Sequence, residues 1–379
     1  MLILIVGILL ILYCVTAKRF NVWVAMSFVL LIMGFQEGLP GDYMGYKETF
    51  MTGGAEVGAY DSTVKAGEFA HLWTTQVLSK IMSFHMYVLL TSLIQVLAMG
   101  LMIRDYAHKN YQYFGVLLIF FTFNIMFIQM KAMRQGYAVD CMVLAYYLLG
   151  RRKHLWSLVF MVLAFGFHNS AIVAIPFYML LWVLMFSRRK VRGPEESLPV
   201  VRKGNAGFKV AAWTVIGLLV FYLFKFAVFD RFINPLLIGL QIFEYGDYLS
   251  DFGDEGSIAW WILLYHLVVT YFVALYMVNE QNLFKKYMAF LTLLAMFLFI
   301  GTFGFGILMR MQAYFLVYSI VAFPNIAAML RASYGRKAGL AFVLFNMVYV
   351  MYTTVRMMLS NDVSNGTGFA PYTFSFLNW

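Results

Sequence analysis

Three residues able to hold or move charge, Arg134, His168 and Arg310, each stand at the tip of a hydrophobic hairpin. Each lies roughly one membrane span, about 20 residues, from the nearest lysine/arginine cluster. An arginine is costly near hydrocarbon and usually faces a protein interior or a watery cavity. Its planar fork suits phosphate oxygens, although an arginine at a span end also snorkels to the interface. Gln135, beside Arg134, adds a neutral donor and acceptor. His168, in GFHNSA, would take a proton as a neutral imidazole or bind phosphate as a cation; a lone histidine at a turn otherwise serves as a cap. Before Arg310, Gly301, Gly304 and Gly306 interrupt an apolar run. Such glycines permit a broken helix lining a cavity or close helix packing. Three tips on one face predict a cavity for an anionic ligand, open to the outside.

Other candidates share that face. Asp42 follows a Pro-Gly turn in GLPGDYMGYKETF, with Tyr43 and Tyr46 beside it. Tyrosine rings pack on sugar faces, and a carboxylate near them orients or deprotonates a sugar hydroxyl; a polar turn is the plainer reading. FEYGDYLSDFGDEG has the same acidic and aromatic character, fitting a carbohydrate-facing lid or a solvated loop. No Asp-x-Asp triplet occurs, so no metal is expected. Asp140, six residues after Arg134, falls on a different helix face and reads as an inter-helix partner.

The elements that must position these residues are membrane spans. The chain is 63% hydrophobic and 12% charged with a mean hydropathy of +0.77, too little polar residue to cover a soluble surface. Continuous apolar runs such as MLILIVGILLILYCV argue for helices over a transmembrane barrel. That run lacks a basic region ahead of it and reads as a retained first span. The expected fold is all-α, a polytopic bundle of about 12 spans. They fall near 2–17, 21–36, 82–103, 111–130, 135–149, 155–167, 170–186, 210–229, 258–278, 287–305, 311–330 and 338–358. Cys14 and Cys141 fall inside spans as free thiols.

With both termini outside, the cytoplasmic turns receive 19 of the 28 Lys+Arg, and the opposite side takes 13 of the 18 acids. The basic bias sets orientation, so the net charge of +10 is a topology signal with no call for nucleic acid. The whole of 1–379 reads as one integral membrane domain. Residues 37–81 and 230–257 form outer loops, the first carrying a short helix in GEFAHLWTTQVLSKI; 187–209 is a basic cytoplasmic loop. That loop is far too short for a nucleotide-binding domain, and no Walker A or dinucleotide fingerprint appears. Substrate must come from the lipid phase or the outer compartment, and no cofactor is expected.

The run MRQGYAVDCMVLAYYLLGRRKHLWSLVFMVLAFGFHNSAIVAIPFY resembles the EpsG family of bacterial exopolysaccharide proteins, related in role to Wzy-type polymerases. The matching residues are Arg134, Gln135 and Ala138, then Arg151-Arg152-Lys153, then Phe167, His168, Ser170 and Ala171. GDYMGY resembles the family's Gly/Asp/Tyr element through Asp42, Tyr43 and Tyr46. GEFAHLW is similar to its Glu-containing helix, through Glu68, and MRMQAYF to a late segment, through Arg310 and Tyr314. Asp140 departs from the pattern, and 187–257 matches weakly.

The resemblance implies a GT-C-like membrane glycosyltransferase of the bacterial inner (cytoplasmic) membrane, working on its outer face. Donor and acceptor would be polyprenyl-pyrophosphate-linked oligosaccharides, with a flippase and a chain-length regulator as the partners such a role allows. Arg134 and Arg310 would hold the leaving pyrophosphate, with Gln135, Tyr43, Tyr46 and Tyr314 binding substrate. Asp42, Glu68 or His168 would assist deprotonation of the acceptor hydroxyl. A glycan ligase using the same donor, or a transporter of lipid-linked sugars, is the alternative.

Overall fold

The computed structural model describes residues 2–37, 43–53, 68–187, 199–201, 205–228, 258–302, 311–359 and 373–374. The chain forms two compact units, Met1–Arg189 with Ala341–Trp379, and Lys190–Leu340. Apart from a short antiparallel pair, β1 (Gln36–Glu37) with β2 (Thr373–Phe374), the described regular structure is helical.

The first unit contains α1 (Leu2–Thr16), α2 (Val22–Gly34), α3 (Tyr43–Met51), α4 (Phe69–Leu78) and α5 (Phe84–Tyr106). It continues through α6 (Gln112–Phe121), α7 (Phe123–Lys131), α8 (Met133–Gly150), α9 (His154–Phe167) and α10 (Ile175–Ser187). Helix starts follow capping chemistry: Asn21 accepts the Trp23 N–H at 2.9 Å and Ser83 the Met86 N–H at 3.3 Å. α2 packs on α5, α5 on α8, and α8 on α9. The α8–α9 turn is tight, with Arg152 in the left-handed region at φ 62°. Its guanidinium donates to the Met185 carbonyl at 2.5 Å, placing a cation at the end of α10, where the helix dipole favours it. Buried Ser157 donates to the Ala145 carbonyl (2.7 Å) and lies 2.5 Å from the Tyr178 hydroxyl, joining α8, α9 and α10.

Two polar layers mark the ends of this unit. At the basic end, Asp105 accepts from Arg104 (2.7 Å) and from the Tyr147 hydroxyl (2.7 Å), with Arg151 3.9 Å away. α8 then runs for 18 residues, about 27 Å at 1.5 Å per residue, to the opposite end, where Arg134 opens it. The expected separation of Arg134 from the basic turn is present.

The second unit holds α11 (Asn205–Val228), α12 (Trp260–Asn279), α13 (Leu283–Thr302), α14 (Ala313–Leu316) and α15 (Ser319–Tyr334). Leu218, Ile258 and Ile300 pack together in its core. Between α12 and α13, Glu280 accepts from the Tyr276 hydroxyl (2.5 Å) and the Asn282 N–H (2.8 Å). Asn282 in turn caps α13 through the Phe284 N–H at 3.0 Å. The last helix, α16 (Arg336–Leu359), belongs to the first unit from Ala341 onward. There the Thr354 hydroxyl donates to the Phe121 carbonyl, and Phe342 meets Phe114 edge-on.

Four described helices are long and apolar enough to cross a membrane: α5, α12, α13 over Leu283–Gly301, and α16 over Arg336–Arg356. α1, α2, α9, α10 and part of α11 are apolar but shorter. This is an all-α membrane protein. The expected span 111–130 is two helices, because Thr122 is extended (φ −96°, ψ 113°) after its N–H closes α6. The span 170–186 opens with a 3-10 turn, Asn169–Val173, before α10. The span 311–330 is divided between α14 and α15.

Candidate active site

The first unit gathers one charged cluster where α4, α8 and α9 meet. Glu68 stands immediately before α4, and its carboxylate makes no cap bond to its own helix. It reaches across instead. Oε2 accepts from Arg134 at 2.7 Å; Oε1 lies 3.0 Å from His168 Nδ1 and 3.4 Å from the Asn169 N–H. Glu68 is almost sealed, with a side chain 3% exposed, against 15% for Arg134 and 28% for His168.

Local geometry explains the meeting. α9 stops at Phe167, and His168 continues extended (φ −157°, ψ 127°), its N–H still bonded to the Ala164 carbonyl at 3.1 Å. α4 lies against the end of α9 at Gly166. A Cβ there would fall 2.6 Å from the Phe69 ring and 3.0 Å from the Ala70 Cβ. The missing side chain therefore lets α4 approach closely enough for Glu68 to touch His168.

Two more residues complete the cluster. The Arg134 guanidinium lies over the Tyr46 ring of α3, 5.6 Å from its centroid, a cation–π distance. Tyr46 meets His71 edge-on at 6.1 Å. His71 is 4% exposed, and its Nδ1 has no hydrogen-bond partner among the described residues.

The electrostatics follow from this packing. Burial pushes the Glu68 carboxyl up, but the His168 contact, the Arg134 charge and the Asn169 N–H outweigh it and hold it below the usual carboxylate range. Glu68 is an anion at neutral pH. Burial, reinforced by the Arg134 charge, pushes His71 down to about 4, so its ring is neutral. The cluster thus offers an anion, a cation, a neutral imidazole and a more exposed imidazole. Among the described residues no group of three or more His, Cys, Asp or Glu side chains is arranged to hold a metal ion.

Of the residues singled out in the sequence, the fold brings together Glu68, Arg134, His168 and Tyr46. Gln135 follows Arg134 in the first turn of α8 and is buried. Tyr43 is buried in the first unit, its hydroxyl donating to the Gln36 carbonyl at 3.2 Å and its ring edge-on to Phe84. Tyr314 is buried within α14 of the second unit. Asp42 and Arg310 lie outside the described residues. Sequence reading missed His71 and the Asn169 N–H. Glu68, His71 and Thr75, at intervals of three and four, form one buried stripe of α4, and that spacing was the available signal.

Membrane-length helices and a Glu68–Arg134–His168 cluster, partly exposed at one end of a helical hairpin, describe an integral membrane protein with one candidate charged site. Residues 19–374 match the EpsG family, and the chain belongs to it. EpsG is a Wzy-like polymerase family, which makes this a polysaccharide polymerase-type membrane protein with a glycosyltransferase-like activity. No curated protein and no solved structure matches it.

Proposed function

We propose that the protein joins polyprenyl-pyrophosphate-linked oligosaccharides at the extracytoplasmic face of the bacterial cytoplasmic membrane, as a GT-C-like polymerase in exopolysaccharide, capsule or O-antigen synthesis. The observation that carries this reading is the Glu68–Arg134–His168 cluster, one α8 length from the basic turn Arg151–Lys153. In the proposed reaction, an acceptor hydroxyl attacks the anomeric carbon of the donor sugar. The C–O bond to the acceptor forms, the C–O bond to pyrophosphate breaks, and polyprenyl pyrophosphate leaves with the electron pair. Arg134 holds that anion, where a fixed cation is worth most to the transition state.

Exposure favours His168 as the proton acceptor. Glu68 is nearly sealed, whereas His168 is more than a quarter exposed, so the imidazole is the group an acceptor can reach. His168 takes the hydroxyl proton, and Glu68 orients the ring and offsets its new charge, the division of labour found in other carboxylate–imidazole pairs. Asp42 and Arg310 remain part of the proposal as acceptor and pyrophosphate ligands, and a flippase and a chain-length regulator are the partners such a polymerase would use.

The test is purified protein in lipid with a pyrophosphate-linked oligosaccharide. Release of free polyprenyl pyrophosphate together with a ladder of repeats is expected. A single transfer would make the protein a ligase, and no release at all would favour a transporter. An Arg134→Ala variant that inserts normally yet still makes long polymer removes the core of the proposal.

A further inference from the structure

His71 has no role in the proton transfer just described, yet it is the most conspicuous side chain near it. It sits three residues after Glu68 on the buried stripe of α4, 4% exposed, with Nδ1 unpartnered among the described residues. Buried polar atoms are almost always paired, and an orphan in a native interior calls for an explanation. An apolar side chain would fill the same volume at no desolvation cost. Among the described residues, the charged and titratable groups around the ring are Glu68 just before its own helix, Arg134 on α8, His168 at the end of α9 and Tyr46 on α3.

From this geometry we infer that His71 is a substrate-binding residue whose Nδ1 hydrogen-bonds an uncharged polar group, a hydroxyl of the donor sugar joined to pyrophosphate. The inference rests on the functional reading above. Arg134 would hold the pyrophosphate, and the first sugar is the part of the donor covalently next to it. The cation acting on His71 is that same Arg134, so the ring stays neutral beside the anion's seat. A neutral imidazole recognises a hydroxyl without competing for phosphate. His71 therefore sets which sugar is accepted, while His168 moves the proton.

The test uses three variants of the purified protein in lipid. Asparagine carries its amide where Nδ1 lies, glutamine carries it farther out, near Nε2, and leucine carries none. His71→Asn is expected to keep kcat/KM for the pyrophosphate-linked donor within about threefold of the unaltered protein. His71→Gln and His71→Leu are expected to lose about tenfold to a hundredfold, the range for a buried hydrogen bond left unmade. All three should still bind inorganic pyrophosphate, which Arg134→Ala should not. The acid limb of the pH profile should coincide for His71→Asn and the unaltered protein.

His71→Leu turning over at full rate overturns the inference, as does His71→Gln matching or exceeding His71→Asn. The second comparison decides the matter even if the leucine variant does not fold. Loss of the acid limb in His71→Asn would make His71 a base and equally overturn it. Absence of donor turnover by the unaltered protein falls on the functional reading and takes this assignment with it. Normal turnover by unaltered and leucine proteins alike falls on His71 alone.

Discussion

The Glu68–Arg134 pair makes a quantitative demand on stability. Its nitrogen and oxygen are 2.7 Å apart, with side chains 3% and 15% exposed. Two unit charges at about 4 Å, in surroundings of effective dielectric about 20, attract by about 4 kcal/mol. Removing one partner of a buried pair costs about 3–5 kcal/mol, because the other charge is stranded. Water reaching the partly exposed Arg134 lowers that to about 2–4 kcal/mol for Glu68→Gln. Arg134→Met should cost a similar amount, since it leaves a sealed carboxylate whose remaining support is His168 and the Asn169 N–H. The double variant strands no charge, and we expect it to cost about 1–2 kcal/mol.

The coupling energy, the two single costs less the double, is then about 2–7 kcal/mol. Denaturant titration of the four proteins in mixed micelles measures it, provided each unfolds reversibly in one step. Single costs that add to the double within about 0.5 kcal/mol would show that the two side chains do not interact. The electrostatic description of the site would then be refuted whatever the protein catalyses.

Three further outcomes follow from the same contacts. The Glu68 carboxyl is held below its ordinary value, so its contribution is complete above the ordinary glutamate pKa of about 4.3 and fades as pH falls from there through the lowered value. The unaltered protein should lose stability below about pH 4.5, and Glu68→Gln, measured by the same unfolding assay, should lose less there, the loss they share coming from groups such as Asp105, whose carboxylate accepts from Arg104 and Tyr147. Glu68→Gln should bind inorganic pyrophosphate about tenfold more tightly by calorimetry in nanodiscs while turning over more slowly; equal or weaker binding would show that the carboxylate does not compete for Arg134. Gly166→Val should cost about 1–3 kcal/mol by overpacking against Phe69 and Ala70. It should also lower donor turnover by at least tenfold, with Gly166→Ala in between; unchanged turnover would mean that the close approach of α4 does not set the site.

Hydropathy and charge made the helices and their basic turns legible, because long apolar runs and Lys/Arg bias are local properties. The α8–α9 hairpin appears close to where the sequence put it, with Arg134 and His168 at one end and Arg151–Lys153 at the other. The break at Thr122 was not legible, since a single threonine in an apolar run carries no proline or glycine mark. Nor was the pairing itself: Glu68 and Arg134 are 66 residues apart, and their contact depends on the packing of α4 at Gly166. His71 was hidden for another reason. Phe69, Trp73 and Val77 look like the buried face of an ordinary amphipathic helix, yet they are 49%, 64% and 38% exposed. In α4 the polar stripe faces inward and the apolar stripe faces out, the inverse of the soluble rule.

A lone arginine at this position would be costly whenever substrate was absent. With Glu68 at 2.7 Å the resting cluster is neutral as a pair, and the helices can close around it. On the proposed reaction, that economy becomes part of the chemistry. A pyrophosphate arriving at Arg134 takes the seat of the carboxylate, and Glu68 loses the cation that keeps its proton affinity low. Its remaining contacts are His168 and the Asn169 N–H. The carboxylate would be freed to orient the His168 ring only once the leaving group had arrived, so that deprotonation of an acceptor hydroxyl waits on a donor being in place. On the same proposal, Arg134 alone would bind and His168 alone would deprotonate, and Glu68, in contact with both, is what would link the two events.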